Sequence, residues 1–304
     1  MGAAMVRPND IPLAAFAVAV LGVGALSAMD AAMKSLSIAA GAFAALSWRS
    51  LGAALLVGLP YAVLRTHWPS RRAMRLHLMR GAIMVPMSFL FFWGLARVPI
   101  AQAIALAFVA PLLALGLAAA VLKEAIGPRM LAGSALAFAG VLLIFTGQAR
   151  ADLGREAMLG SIAILCSALF YAFNIILMRQ QALQARPLEI AFFQFLVGAA
   201  GFWAIAAFIG LPAFPAGEWE VLLAATALSI AGMLLLAWAY ARAGAAYLST
   251  SEYSGFLWAM LFGWIFFAER VSPFTFAGAV LIVGGCLIAA RRPEEAGPTL
   301  ETAA

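Results

Sequence analysis

Long apolar runs separated by short polar joints set the pattern of this chain. Ten such runs fall at 11–33, 41–64, 76–97, 99–121, 128–148, 157–180, 187–210, 219–242, 246–268 and 273–291. Each is close to the roughly 20 residues that a helix needs to cross the hydrocarbon of a bilayer. The pattern predicts an all-α integral membrane protein with ten transmembrane helices. Pro99, Pro128, Pro187 and Pro273 stand at the starts of runs, where a missing N–H costs nothing. Pro86 and Pro111 fall inside runs and predict kinks.

The pattern repeats. Adding 145 to Trp93, Arg97, Glu124, Pro128, Gly133 and Gly140 gives Trp238, Arg242, Glu269, Pro273, Gly278 and Gly285 without a gap. The same offset carries Met33-Lys34 onto Met178-Arg179 and Leu51 onto Leu196. Matches of Ala or Leu mean little in so apolar a chain, but matched Trp, Arg, Glu and Pro mark a duplication. The units are a first five-helix repeat over 1–147, an external connection over 148–156 and a second repeat over 157–292. A polar tail, 293–304, is expected to be disordered.

Basic residues orient the repeats. Arg7, the Arg-rich joint at 65–80, Lys123, Arg129, Arg179, Arg186, Arg242, Arg291 and Arg292 fall on one side. The other side carries only Lys34, Arg97, Arg150, Arg155 and Arg270. Positive charge is retained in the cytoplasm, which predicts that both termini are cytoplasmic. Five is an odd number, so the second repeat must enter the membrane upside down. Inverted repeats are a device of secondary transporters, whose halves close one side or the other of a central site.

Composition narrows the function classes. Hydrophobic residues make up 65% of the 304 residues and charged residues 11%, where a soluble domain carries about a quarter charged. The net charge of +6 belongs to orientation against lipid and not to nucleic-acid binding. Cys166 and Cys286 lie inside apolar runs with no metal-ligand spacing. The first run has no small-residue cleavage site after it and reads as a retained helix. Motifs for nucleotide hydrolysis, intramembrane metalloproteolysis and a serine nucleophile are absent from the sequence. Neither an enzyme nor a cofactor is expected.

Each repeat ends with an apolar helix closing on Glu, in APLLALGLAAAVLKE and EYSGFLWAMLFGWIFFAE, followed by Pro128 or Pro273 and a Gly-containing helix. In this the chain resembles the drug/metabolite transporter superfamily, in its branch of EamA-like ten-helix bacterial exporters. The resemblance covers nearly the whole chain. It implies a cavity lined mainly by helices 1, 3, 4, 6, 8 and 9, and export of amino acids, metabolites or drugs across the inner membrane. Two positions depart from the family pattern. Ala268 replaces the Gly usual before the last Glu, and Ala107 is the twin of Glu252.

The polar residues inside the runs are the candidate substrate site. Glu252 lies about 9 Å into its helix, flanked by Ser249 and Tyr253. A carboxylate there faces a cavity or a partner; it reads as a substrate-amine contact or a proton carrier, or else as a packing contact. Arg49, about 12 Å from its helix end, has the fork geometry for a substrate carboxylate, with Asp30 as the structural alternative. Asp30 and Lys34 are four apart and read as an interfacial ion pair. Tyr171 and Asn174 share a helix face and either line the cavity or glue helices. Ser88 and Gln194 are weaker candidates of that kind. Of Tyr253, Phe256 and Trp258 at most two can face one cavity at 100° per residue. Glu124 and Glu269 are expected to cap the helices that follow them, and His67 and His77 to be solvated loop residues.

These residues suit a small zwitterion or neutral molecule; the resemblance implies a secondary transporter exporting amino acids, with neutral or aromatic ones favoured, by alternating access. A multidrug or other-metabolite exporter of the same fold is the alternative; a membrane enzyme or a channel fits less well. The expected partners are a small-molecule substrate and membrane lipid, with no nucleic acid. Monomer and homodimer are both compatible with the sequence.

Overall fold

The computed structural model describes residues 10–64, 68–122, 128–150, 154–240, 242–243 and 248–290. Among them the first repeat forms α1 (Asp10–Ala40), α2 (Ala42–Leu64), α3 (Arg71–Leu95), α4 (Ile100–Ala107), α5 (Ala110–Leu122) and α6 (Pro128–Arg150). The second forms α7 (Gly154–Ala182), α8 (Pro187–Ile209), α9 (Trp219–Tyr240), a 3-10 turn (Ser249–Tyr253), α10 (Ser254–Phe267) and α11 (Pro273–Ala290). Taking α4–α5, and the turn with α10, as two broken segments leaves ten helical segments. Six helices, α1, α2, α3, α7, α8 and α9, are long and apolar enough to cross a membrane. The tail beyond 290 and the joint at 151–153 lie outside the described residues; α6 and α7 run into the expected connection as far as Arg150 and Gly154.

The two expected continuous helices, 99–121 and 246–268, are both interrupted, and at the same place in the repeat. In the first, Pro111 has no N–H for the carbonyl of Ala107, where α4 ends. Val109 N instead bonds back to Leu106 O, a tighter turn. In the second there is no proline at the twin position, and hydroxyls take over the carbonyls. Ser251 Oγ donates to Leu248 O at 2.6 Å, and Ser254 Oγ to Ser251 O at 2.6 Å. Such local bonds compete with the helical ladder. Pro86, by contrast, leaves α3 unbroken.

Duplication is visible in side-chain geometry. The guanidinium of Arg97 lies 3.6 Å from the Trp93 ring centroid and donates to Trp93 O. Arg242, its twin, lies 4.0 Å from the Trp238 ring and donates to Trp238 O. The repeats also exchange partners symmetrically: α1 packs on α9, and the equivalent α7 packs on α3.

Small residues set the closest helix contacts. A Cβ on Gly140 of α6 would stand 2.6 Å from Gly278 O on α11, and one on Gly278 would stand 2.7 Å from Gly140 O. Only glycine lets these backbones meet, and close approach is how helices associate when lipid supplies no hydrophobic force.

Candidate functional site

Helix directions define two opposite ends. The start of α3 with the ends of α7 and α9 forms one end, marked by His77. The end of α3 with the ends of α1 and α10 forms the other, marked by Lys34.

At the Lys34 end the repeats are tied together. Lys34 pairs with Glu269 and not with Asp30, and its Nζ also donates to Val98 O at 2.5 Å. The expected local ion pair gives way because Glu269 is held where both its oxygens have work. Oε2 accepts from Ile100 N at 2.7 Å, at the start of α4. So Glu269 does cap a helix, but one in the other repeat, where the free first-turn N–H groups favour a carboxylate. The helix that follows it, α11, is capped by Ser272 Oγ, which accepts from Thr275 N. Ala268 sits at φ 51, the left-handed region, and turns the chain into this contact. Glu124 lies outside the described residues.

Arg49 and Asp30 lie toward the Lys34 end. They interact electrostatically, without a direct ion pair among the described residues. Arg49 is 9% exposed, its Nε has no hydrogen-bond partner among the described residues, and its guanidinium lies 5.7 Å from the Phe92 ring.

A second polar group lies toward the His77 end, about 18 Å away judged by the twelve residues from Arg80 to Phe92 on α3. Glu252 belongs to the 3-10 turn, is exposed, and accepts from Tyr240 Oη at 3.1 Å. Tyr171, three residues before Asn174 on α7, keeps 37% of its surface exposed. Asn174 accepts from Arg80 Nε at 2.9 Å.

Several expected site residues are placed elsewhere. Phe256 is 8% exposed in the packed core, near Phe276. Ser88 donates to Met84 O of its own helix at 2.6 Å, a local bond that occupies the hydroxyl. Trp258 donates to Val20 O on α1 and stacks on Phe262. Tyr253 is half-buried against Phe108, and Gln194 is half-buried. The Ser249 side chain lies outside the described residues, as does His67.

His77 and Arg80 correct the sequence reading most. The sequence expectation has His77 solvated and Arg80 in the basic joint, but α3 begins at Arg71 and carries both into the bundle. His77 is 1% exposed and Arg80 6%. Hydropathy over 71–80 hid the extra turns; Ser70, an N-cap that accepts from Ala73 N, was the available signal.

Two comparable bundles in opposite orientation, broken helices meeting between them and polar residues at the breaks describe a membrane transporter. The chain belongs to the EamA-like transporter family, which matches residues 13–146 and 158–291. It is a multi-pass secondary transporter and not an enzyme. It is similar to the pseudopaline exporter CntI of Pseudomonas aeruginosa, 28% identical over 284 residues, 90% of this chain and 94% of that one. It is also similar to the riboflavin transporter of Rhizobium johnstonii, 30% identical over 249 residues, 79% of this chain and 78% of that one. A crystal structure with 24% identity shares the fold, with a TM-score of 0.55 over 93% of this chain and 99% of its own.

Proposed function

We propose that this transporter exports small zwitterionic metabolites, neutral or aromatic amino acids among them, across the bacterial inner membrane by alternating access, with both termini in the cytoplasm. The observation that carries this reading is the polar group toward the His77 end, where Arg80 of the first repeat bonds Asn174 of the second, one turn from Tyr171, and Tyr240 Oη bonds the Glu252 carboxylate. A zwitterion presents the complementary pair of charges. Tyr240 holds Glu252 through its hydroxyl, and Tyr171 offers an accessible ring face. The Lys34–Glu269 tie supports closure of the opposite end in this state.

Relatives favour a second reading, in which the substrate is a larger organic metabolite, as in the pseudopaline exporter and the riboflavin transporters. The test is a competition panel in proteoliposomes. Counterflow of one labelled amino acid is challenged with other amino acids, riboflavin and pseudopaline. Saturable counterflow suppressed by neutral amino acids supports the first reading. Counterflow supported by riboflavin or pseudopaline and by no amino acid replaces it with the second.

A further inference from the structure

Arg80 is buried, yet both hydrogen-bond partners the structure gives it are neutral. Its Nε donates to Asn174 Oδ1 at 2.9 Å and its Nη1 to Gln181 Oε1 at 2.7 Å. None of the ion pairs among the described residues includes it. A buried guanidinium is ordinarily paired with an anion, because desolvation of the charge is otherwise uncompensated. The guanidinium keeps further N–H donors, since only some of its five are used.

Its orientation is fixed by a chain of bonds that can run in only one direction. A guanidinium only donates, so Gln181 must turn its Oε1 toward Arg80. That leaves the Gln181 amide N–H for His77 Nδ1, 2.5 Å away. Nδ1 therefore accepts, the ring proton is on Nε2, and Nε2 donates to Glu189 Oε1 at 2.9 Å. The His77 ring stacks on Phe193 at 4.6 Å, which fixes its plane. Flipping the Gln181 amide would set its N–H groups against the guanidinium donors and break two links together. Glu189 and His77, on different helices, thus determine where Arg80 points.

We propose that Arg80 binds the carboxylate of the transported molecule, with Glu189, His77 and Gln181 as its positioning residues. The substrate ammonium then meets Glu252, the carboxylate that Tyr240 Oη holds in the second repeat. This rests on the zwitterion reading above and extends it, by requiring a free carboxylate and by naming its partner.

The test compares a labelled neutral amino acid with its carboxamide, which keeps the ammonium and side chain and lacks the anion. In counterflow, the native protein is expected to prefer the acid by ~10-fold or more in apparent KM. Arg80→Gln is expected to bring that preference close to unity, by raising KM for the acid and leaving the amide nearly unchanged. Gln181→Leu should move the ratio the same way by a smaller factor, through KM and not kcat. Arg80→Lys should restore part of it as a point charge. An Arg80→Gln protein with native melting behaviour that keeps the native ratio, or loses acid and amide equally, overturns the proposal while the zwitterion reading stands. If Arg80→Gln does not fold, an unchanged ratio in both Arg80→Lys and Gln181→Leu overturns it. A native protein that carries no amino acid overturns the zwitterion reading and this proposal together.

Discussion

Phe108 and Tyr253 are 145 residues apart, the offset of the repeat, and their rings meet edge to face with centroids 5.5 Å apart. Twins that touch lie on the pseudo-two-fold axis, so the axis passes between these rings. Both stand at the break in their helix, after α4 and before α10. Cys286 Sγ lies 3.2 Å from Phe108 O, occupying a carbonyl freed by the break. The two repeats therefore touch each other at their least regular backbone, where transporters of inverted design bind substrate.

Glu252 stands at this break. Its replacement by Gln keeps the shape and removes the charge that the substrate ammonium requires. The expected outcome is an apparent KM raised ~10-fold or more, since a charged hydrogen bond contributes on the order of 1.5–3 kcal/mol. Tyr240→Phe, which removes only the hydroxyl on Glu252, should raise KM by a smaller factor. Counterflow kinetics on the two variants check the order.

The Lys34–Glu269 tie predicts a latch. With Lys34→Met the Glu269 carboxylate loses its cation in a mostly buried place, and about 3 kcal/mol of stability should go with it. The charge-reversed pair Lys34→Glu with Glu269→Lys should recover little, because a Lys cannot accept from Ile100 N. Thermal melting in detergent measures both. A reducible thiol-to-thiol cross-linker joining Lys34→Cys to Glu269→Cys, long enough to replace the two side chains, should arrest exchange, and reductant should release it.

Ala268 holds a left-handed backbone at φ 51. That conformation costs a residue with a Cβ roughly 1 kcal/mol and glycine almost nothing. Ala268→Gly should leave the melting temperature at or slightly above the native value, because relief of that strain outweighs the added freedom of the unfolded chain. Measured stability below the native value would show that the turn is not strained.

Gly140 and Gly284 make a matched pair of tests in α6 and α11. Gly140→Ala places a Cβ 2.6 Å from Gly278 O and must push the helices apart, whereas at Gly284 the nearest atom is 3.8 Å away. Gly140→Ala should destabilise by about 1–3 kcal/mol, and Gly284→Ala should be near neutral. Melting of the two variants in one detergent gives the comparison.

Much of this was legible in the sequence because its signals are strong in an apolar chain. Hydropathy marks the spans, and the offset of 145 is readable from Trp, Arg, Glu and Pro alone. The Arg97–Trp93 and Arg242–Trp238 stacks show why those residues recur together. What stayed hidden depends on contacts between distant parts of the chain. The i, i+4 spacing of Asp30 and Lys34 suggested a local pair, but Glu269, 235 residues away from Lys34, has the better geometry. The break before α10 is made by serine hydroxyls turned onto backbone carbonyls, which no hydropathy window registers. Arg80 and His77 were lost to the loop because an amphipathic first turn and a basic joint have the same composition. The Ser70 cap and the partners on α7 and α8 tell the two apart.

The central claim is that one site, served by both repeats, carries a zwitterion from one side to the other. Trans-stimulation tests it most directly: efflux of a preloaded, labelled neutral amino acid from proteoliposomes, with and without the same unlabelled amino acid outside. The account predicts saturable efflux that external substrate accelerates, and that the reducible cross-link between positions 34 and 269 abolishes until reductant is added. Efflux that rises linearly with concentration, ignores external substrate and passes unchanged through the cross-linked protein would contradict it.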